Sequence, residues 1–253
     1  MSLFRFLERI ALVFTGRDEN CGKWRKTLRL VQLEDRRMLN GAFAIAGATL
    51  TLNNSSSSSG TVPNLEISQP DANHMSFTLD ASETWSSDGP VNPLNTVAGN
   101  VLTIDKSLFS ALSIGPGVSQ WGITQSNSVS VAHLSIAEAT SVSLGAANND
   151  FDAVSIHSEG TVVLTDVDDL SVSLLHSDGH NIDVYAGGDL SITQVESSAS
   201  HASETHYSEA QLTTIALSSA TDLTLEQGGS IHADGAIIVL HAQHHLTISS
   251  DAA

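Results

Sequence analysis

A four-residue phrase recurs along the second half of the chain: Asp or His, then Leu, then Ser or Thr, then an aliphatic residue. The copies are His133-Leu134-Ser135-Ile136, Asp169-Leu170-Ser171-Val172, Asp189-Leu190-Ser191-Ile192, Asp222-Leu223-Thr224-Leu225 and His245-Leu246-Thr247-Ile248. Each alternates apolar with small polar residues, the pattern of a short strand with one buried and one wetted face. Self-similarity of this kind points to stacked repeats, because each unit can hide its apolar face only against the next. The step from Asp169 to Asp189 is 20 and that from Asp222 to His245 is 23. The steps from His133 to Asp169 and from Asp189 to Asp222, 36 and 33, leave room for an extra partial turn or an inserted loop.

From Val129 on, apolar pairs spaced two apart recur, and from Leu134 to Leu190 their starts advance by 8 or by 12. Turn residues such as Asn148-Asn149-Asp150 and Ser177-Asp178-Gly179-His180 fill the longer gaps. An all-β fold follows, with two architectures open: a parallel β-helix (β-solenoid), or an antiparallel β-sandwich. The parallel β-helix is the expected one. A sandwich does not need the phrase itself to recur, whereas stacked layers set each copy over its counterpart. The copies imply a layer length of 20–23; the two loops, which start after Leu144 and after Val172, would imply 28.

Charge divides the chain. Residues 1–40 hold nine Lys/Arg against five Asp/Glu, whereas residues 41–253 hold one basic residue, Lys106, against 23 acidic ones. A body so depleted in Lys and Arg excludes nucleic acid as a partner, since phosphates need basic contacts. The single cysteine, Cys21, allows no disulfide within the chain, and no apolar run approaches the length of a membrane-spanning helix. The expected organisation is a short, basic, helical N-terminal leader (1–40) and a small-apolar, Ser-rich linker with a first strand near Thr49 to Asn53 (41–60). An irregular β region of first layers or a cap (61–127) and the regular solenoid (128–253) follow. Trp85 and Trp121, in the irregular part, either cover an open end or offer a sugar-stacking platform.

Two segments resemble known families. Leu33-Glu34-Asp35-Arg36-Arg37-Met38-Leu39 resembles the LEPR-XLL signature near the N-terminus of large exported proteins of planctomycete bacteria. Leu33, Glu34, Arg36 and Leu39 match; Met38 stands for a Leu and Asp35 for the signature's Pro. The resemblance implies an address, export to the cell surface or extracellular space. Gly187-Gly188-Asp189-Leu190-Ser191-Ile192 resembles the repeats of filamentous-haemagglutinin-type surface adhesins, over residues 128–253. Together they imply a structural or adhesin-like protein without catalysis, facing a surface polysaccharide or another cell-surface protein through loops such as 145–153 and 196–209.

Candidate chemistry is sparse. Asp166, Asp168 and Asp169 could offer oxygens to calcium, the one cofactor the sequence suggests, but they lack a calcium-loop pattern and read better as a solvated turn. His176/His180 and His241/His244/His245 are the closest histidine sets, and on one strand His241 and His245 would share a face. The alternative function is a polysaccharide hydrolase on a β-helix, with paired carboxylates such as Asp166 and Asp183. A lyase relying on Lys or Arg is excluded by Lys106 standing alone in the body. No catalytic residue is assigned.

Overall fold

Val, Ile and Leu alternating with Ser, Thr and Asp favour strands over helices. The computed structural model describes residues 41–54, 62–87, 94–115, 120–198, 213–233 and 237–249, all in the second of two units into which the chain divides after Arg37. The leader with its signature Leu33, Glu34, Arg36, Arg37, Met38 and Leu39 lies outside the described residues, as do serines 55–59 and residues 199–212. Among the described residues are nineteen strands, one short 3-10 turn at Lys106–Leu108 and no α-helix.

The first seven strands are β1 (Gly41–Ala46), β2 (Thr49–Asn54), β3 (Asn64–Asp71), β4 (His74–Leu79), β5 (Trp85–Ser87), β6 (Asn95–Ala98) and β7 (Val101–Asp105). Antiparallel pairing is confined to them: β1–β2, β3–β4, β4–β7 and β6–β7. Next come β8 (Ala111–Ile114), β9 (Trp121–Gln125), β10 (His133–Leu144), β11 (Ala153–Ser158), β12 (Val162–Asp166) and β13 (Leu170–Ser177). The last six are β14 (Ile182–Ala186), β15 (Leu190–Ser197), β16 (Thr214–Ser219), β17 (Leu223–Ala233), β18 (Ile237–Ala242) and β19 (Leu246–Ile248). From β11 on, each strand pairs in parallel with the strand two places further along. The long β10 serves two columns: its first half pairs with β8 and β11, its second with β9 and β12.

The protein is therefore all-β with one large, mostly parallel sheet, and the antiparallel sandwich does not hold. Parallel pairing also begins earlier than the sequence pattern suggests, since β2 pairs with β8 and β3 with β9. Residues 41–46, expected to be linker, form β1, joined to β2 by a two-residue turn in which Gly47 takes φ +61°.

The core consists of rows that run across the strands. One row reads Leu50, Leu112, Leu134, Val154, Val172, Ile192, Leu225 and Ile248; a second reads Leu65, Ile123, Val142, Val162, Ile182, Ile215 and Ile238. All but the last member of each are buried. Paired residues such as Leu170 and Leu190, or Val162 and Ile182, lie 20 apart and Leu223 and Leu246 lie 23 apart, so the spacing of 28 is not the pairing interval.

The first phrase is out of step with the rest. Leu134 pairs with Val154 and Val154 with Val172, two positions beyond Leu170. The long step from His133 to Asp169 therefore holds one further strand, Ala153-Val154-Ser155-Ile156, at which no phrase appears. A β-bulge follows between Val154 and Ser155, where the extra residue Ser173 donates its hydroxyl to the Val154 carbonyl at 3.0 Å. An offset of two keeps the same face inward.

In the last three steps the Asp at the head of the phrase is stitched to the next copy. Asp169 Oδ1 accepts the Asp189 N–H at 2.8 Å, Asp189 Oδ1 the Asp222 N–H at 3.2 Å, and Asp222 Oδ1 the His245 N–H at 3.1 Å. In return the Leu170, Leu190 and Leu223 N–H groups donate to the carbonyls of Asp189, Asp222 and His245. At the same corner a Cβ on Gly187 would overlap the Val167 carbonyl oxygen, so the backbones approach too closely for a side chain.

In the loop 145–153 Gly145, Ala147, Asn148 and Asp152 are exposed, while Asn149 is fully buried and ties the loop down. Its Nδ2 donates to Leu144 O at 2.8 Å and to Thr165 O at 3.0 Å, and its Oδ1 accepts the Val129 N–H at 2.9 Å. Asn149→Ala removes the side-chain partner of the buried Val129 N–H and one donor each from the Leu144 and Thr165 carbonyls; a buried backbone group left unsatisfied costs about 1–3 kcal/mol. We expect a loss of more than about 1 kcal/mol, measured by urea unfolding; a smaller loss would show that water replaces the amide.

Candidate functional site

The parallel pairing of β11 with β13 sets His157 beside His176. Their chain neighbours Ile156, Ser158, Leu175 and Ser177 are buried, which turns both imidazoles to the outer face, where each is half-buried. The rings meet edge to face with centroids 4.5 Å apart. Asp178, two positions beyond His176, returns to the same side. The turn that follows it is closed by Gly179 at φ +70°, and the Asp178 N–H donates to Ser158 O at 3.2 Å. Asp178 Oδ1 then lies 2.8 Å from His176 Nε2.

One nitrogen from each imidazole and one Asp178 oxygen all fall within 4.8 Å of one another. The other ring nitrogen of His176, Nδ1, faces Glu196 Oε2 at 3.6 Å, from the strand that pairs on its far side. A pocket of about 70 Å³ opens here, lined by Gln120, Glu138, Ala139, His157, Glu159 and Asp178. Two imidazoles and a carboxylate are a donor set for a divalent transition metal, softer than calcium prefers.

His157 escaped the sequence reading because its partner, His176, stands one step of the sheet away, whereas the histidine sets weighed there were neighbours in sequence. His176 and His180 do not share a site; His180 Nδ1 turns to the Asp178 carbonyl at 2.8 Å. His241 lies on β18 and His245 precedes β19, with the bend at Gln243-His244 between them, so they do not share a strand face.

Of the calcium candidates, the Asp168 carboxyl lies against that of Asp166, and all three have roles within the chain or face solvent. Asp166 is fully buried, accepting the Phe151 N–H at 2.7 Å and the Asp168 N–H at 3.1 Å; Asp169 is committed to the Asp189 N–H; Asp168 is exposed. Nor do Asp166 and Asp183 pair, since alternation along β12 and β14 turns Asp166 inward and Asp183 outward. Trp85 and Trp121 are buried with ring centroids 6.1 Å apart, as core residues rather than a sugar platform. Lys106 Nζ donates to Gln69 Oε1 at 3.2 Å, and burial lowers its pKa.

A larger, more open hollow of about 460 Å³ is lined by Asp71, His74, Leu94, Thr96 and Thr103 among others. Asp71 accepts the Asn73 and His74 N–H groups and lies 2.9 Å from His74 Nδ1; these bonds hold its carboxyl below the usual range. Asp105, paired with His74 across β7, is likewise lowered by its bonds from Ser107.

Burial pushes the Asp166 carboxyl up to about 6, against the two N–H bonds that favour its charged form. An unfolded aspartate titrates near 3.8. With the higher value in the folded state, Asp166 favours folding fully below about pH 4, and that contribution disappears as pH rises through about 6. A displacement of about two units corresponds to about 3 kcal/mol. Relative to Asp166→Asn, the wild type should lose up to about 3 kcal/mol of stability between pH 4 and 7, read from urea midpoints across pH; parallel profiles would rule Asp166 out as the titrating group.

No protein-family model, curated protein or solved structure matches this chain.

Proposed function

We propose that the chain is an exported structural protein of the cell surface or extracellular matrix, adhesin-like and without catalysis, with a parallel β-solenoid as its body. The observation that carries this is the in-register stacking of the phrase: Leu170, Leu190, Leu223 and Leu246 follow one another across β13, β15, β17 and β19. In a solenoid each copy faces the next at one strand spacing, so the interior is a stack of identical contacts and the outer face is free to vary. A rigid body with an acidic, Ser- and Thr-rich exterior suits passive contact with a surface polysaccharide or another surface protein. The resemblance of Leu33 to Leu39 to an export signature supplies the address.

The carboxylates support the non-enzymatic reading. A glycoside hydrolase needs two carboxyls flanking one groove, one of them with a raised pKa. Among the described residues Asp166 is raised but buried, while Asp71 at the larger hollow is lowered. No described helix is long and apolar enough to cross a membrane.

Expressed with an epitope tag in a planctomycete host, the chain should be labelled by antibody on unpermeabilised cells and removed by external protease. Replacing both Arg36 and Leu39 by Ala should retain it inside. Wild-type chain confined to the cytoplasm would overturn the proposal.

A further inference from the structure

We infer that His157, His176 and Asp178 form a site for a divalent transition metal of the Zn²⁺ class, which clips β11 to β13 on the outer face of the sheet. The donor set is the first ground. A tetrahedral Zn²⁺ about 2.0–2.1 Å from each donor holds them about 3.3 Å apart. His176 Nε2 and Asp178 Oδ1 are at 2.8 Å, and all three groups have donor atoms within 4.8 Å of one another, so small side-chain rotations close the site. The strands already fix the imidazoles, so the metal does not have to order the backbone.

Glu196 is the second, independent ground. A metal-bound imidazole commonly donates its remaining ring N–H to a carboxylate, which sets its tautomer and orientation. With Nε2 toward the metal, His176 Nδ1 faces Glu196 Oε2 at 3.6 Å from the opposite side. The third ground is space. The pocket of about 70 Å³ beside His157 and Asp178 has room for water in the remaining coordination position, and Glu159, whose Oε1 accepts from Gln120 Nε2 at 2.9 Å, lines it.

The position gives the metal a task. It lies just past the bulge between Val154 and Ser155, where the pairing of β11 with β13 departs from even register. A clip from His157 to His176 pins the two strands just beyond the bulge, so metal should add stability as well as occupy a site.

The test uses the full chain, stripped with chelator and titrated with Zn²⁺ by calorimetry, with Co²⁺ absorption reporting imidazole ligation. One Zn²⁺ per chain should be lost in His157→Ala and in His176→Ala, and Glu196→Gln should weaken it by about 10–100-fold without changing the stoichiometry. Tm should rise with Zn²⁺ in the wild type and not in His176→Ala. Asp178→Asn, outside the strands, gives the same reading if a histidine variant does not fold. His244→Gln with His245→Gln should bind as the wild type does. No Zn²⁺ binding by the wild type, or binding that survives loss of His176 and disappears with His244 and His245, would overturn the site.

Discussion

The fold depends on what happens at the corner where the chain enters each copy of the phrase. A strand that leaves one layer and starts the next would strand backbone N–H and C=O groups at the bend, and buried or half-buried groups of this kind need partners. Here the Asp carboxylate of one copy takes the N–H of the next copy's Asp or His, while the following Leu N–H takes that residue's carbonyl. Both bonds come from the same place in the phrase, so they fix register as well as satisfying the backbone. A slip of one residue would turn every Leu, Val and Ile outward and every Ser and Thr inward. At the copy headed by His245, its N–H and Nδ1 both meet Asp222 Oδ1.

Once register is fixed, burial comes from the neighbouring strand. Leu223 and Leu246 occupy the same row, one after the other, yet Leu223 is 0% exposed and Leu246 48%. The difference is the presence of a further strand beyond Leu223 and none described beyond Leu246. Fully burying one such side chain is worth about 1.5–3 kcal/mol, so each strand of the sheet is held chiefly by its two neighbours. β18 extends the point, since Ile237 and Val239 on its outer side are as exposed as Ile238 on its inner side. A strand apolar on both faces is the composition of a covered strand.

The phrase and its alternation made the strands, their parallel partners and the interval of 20 to 23 legible, because those follow from residue identity at inward positions. Two features disturbed the pattern. At Ala153-Val154-Ser155-Ile156 the aliphatics remain but the Asp-Leu head is missing, and Val154 pairs with Val172 rather than Leu170, so one pairing step was hidden between His133 and Asp169. The hairpins from β1 to β7 lack the phrase altogether. Their junction with the parallel strands, Thr49 to Ala111 and Asn64 to Gly122, joins distant parts of the chain with no local signal. The outer face was less legible still. Asn149 looked like a turn residue and is a buried tie; Asp166 looked like a surface acid and is buried under two N–H bonds. His157 and His176 come together only if the step between paired strands is one short of 20, which requires the bulge.

The outer face also obeys a constraint that the inner one escapes. Residues at one position in successive layers are separated by about 4.8 Å, the spacing of paired strands, so like charges there repel. On a body with 23 acids and one lysine this is a demanding condition. The paired strands meet it by alternation: Asp183 lies between Val163 and Ala216, Glu66 beside Thr124 and Thr78, and Glu196 between His176 and His232. Acids follow acids along Asp169, Asp189 and Asp222, where each carboxylate accepts the next backbone N–H and Asp189 also takes the Thr221 hydroxyl, which holds its pKa down. The same spacing that penalises stacked acids brings stacked imidazoles and a carboxylate within reach of one ion. Repulsion and chelation are two results of one geometry, and which of them operates at a position is decided by the outward residue alone.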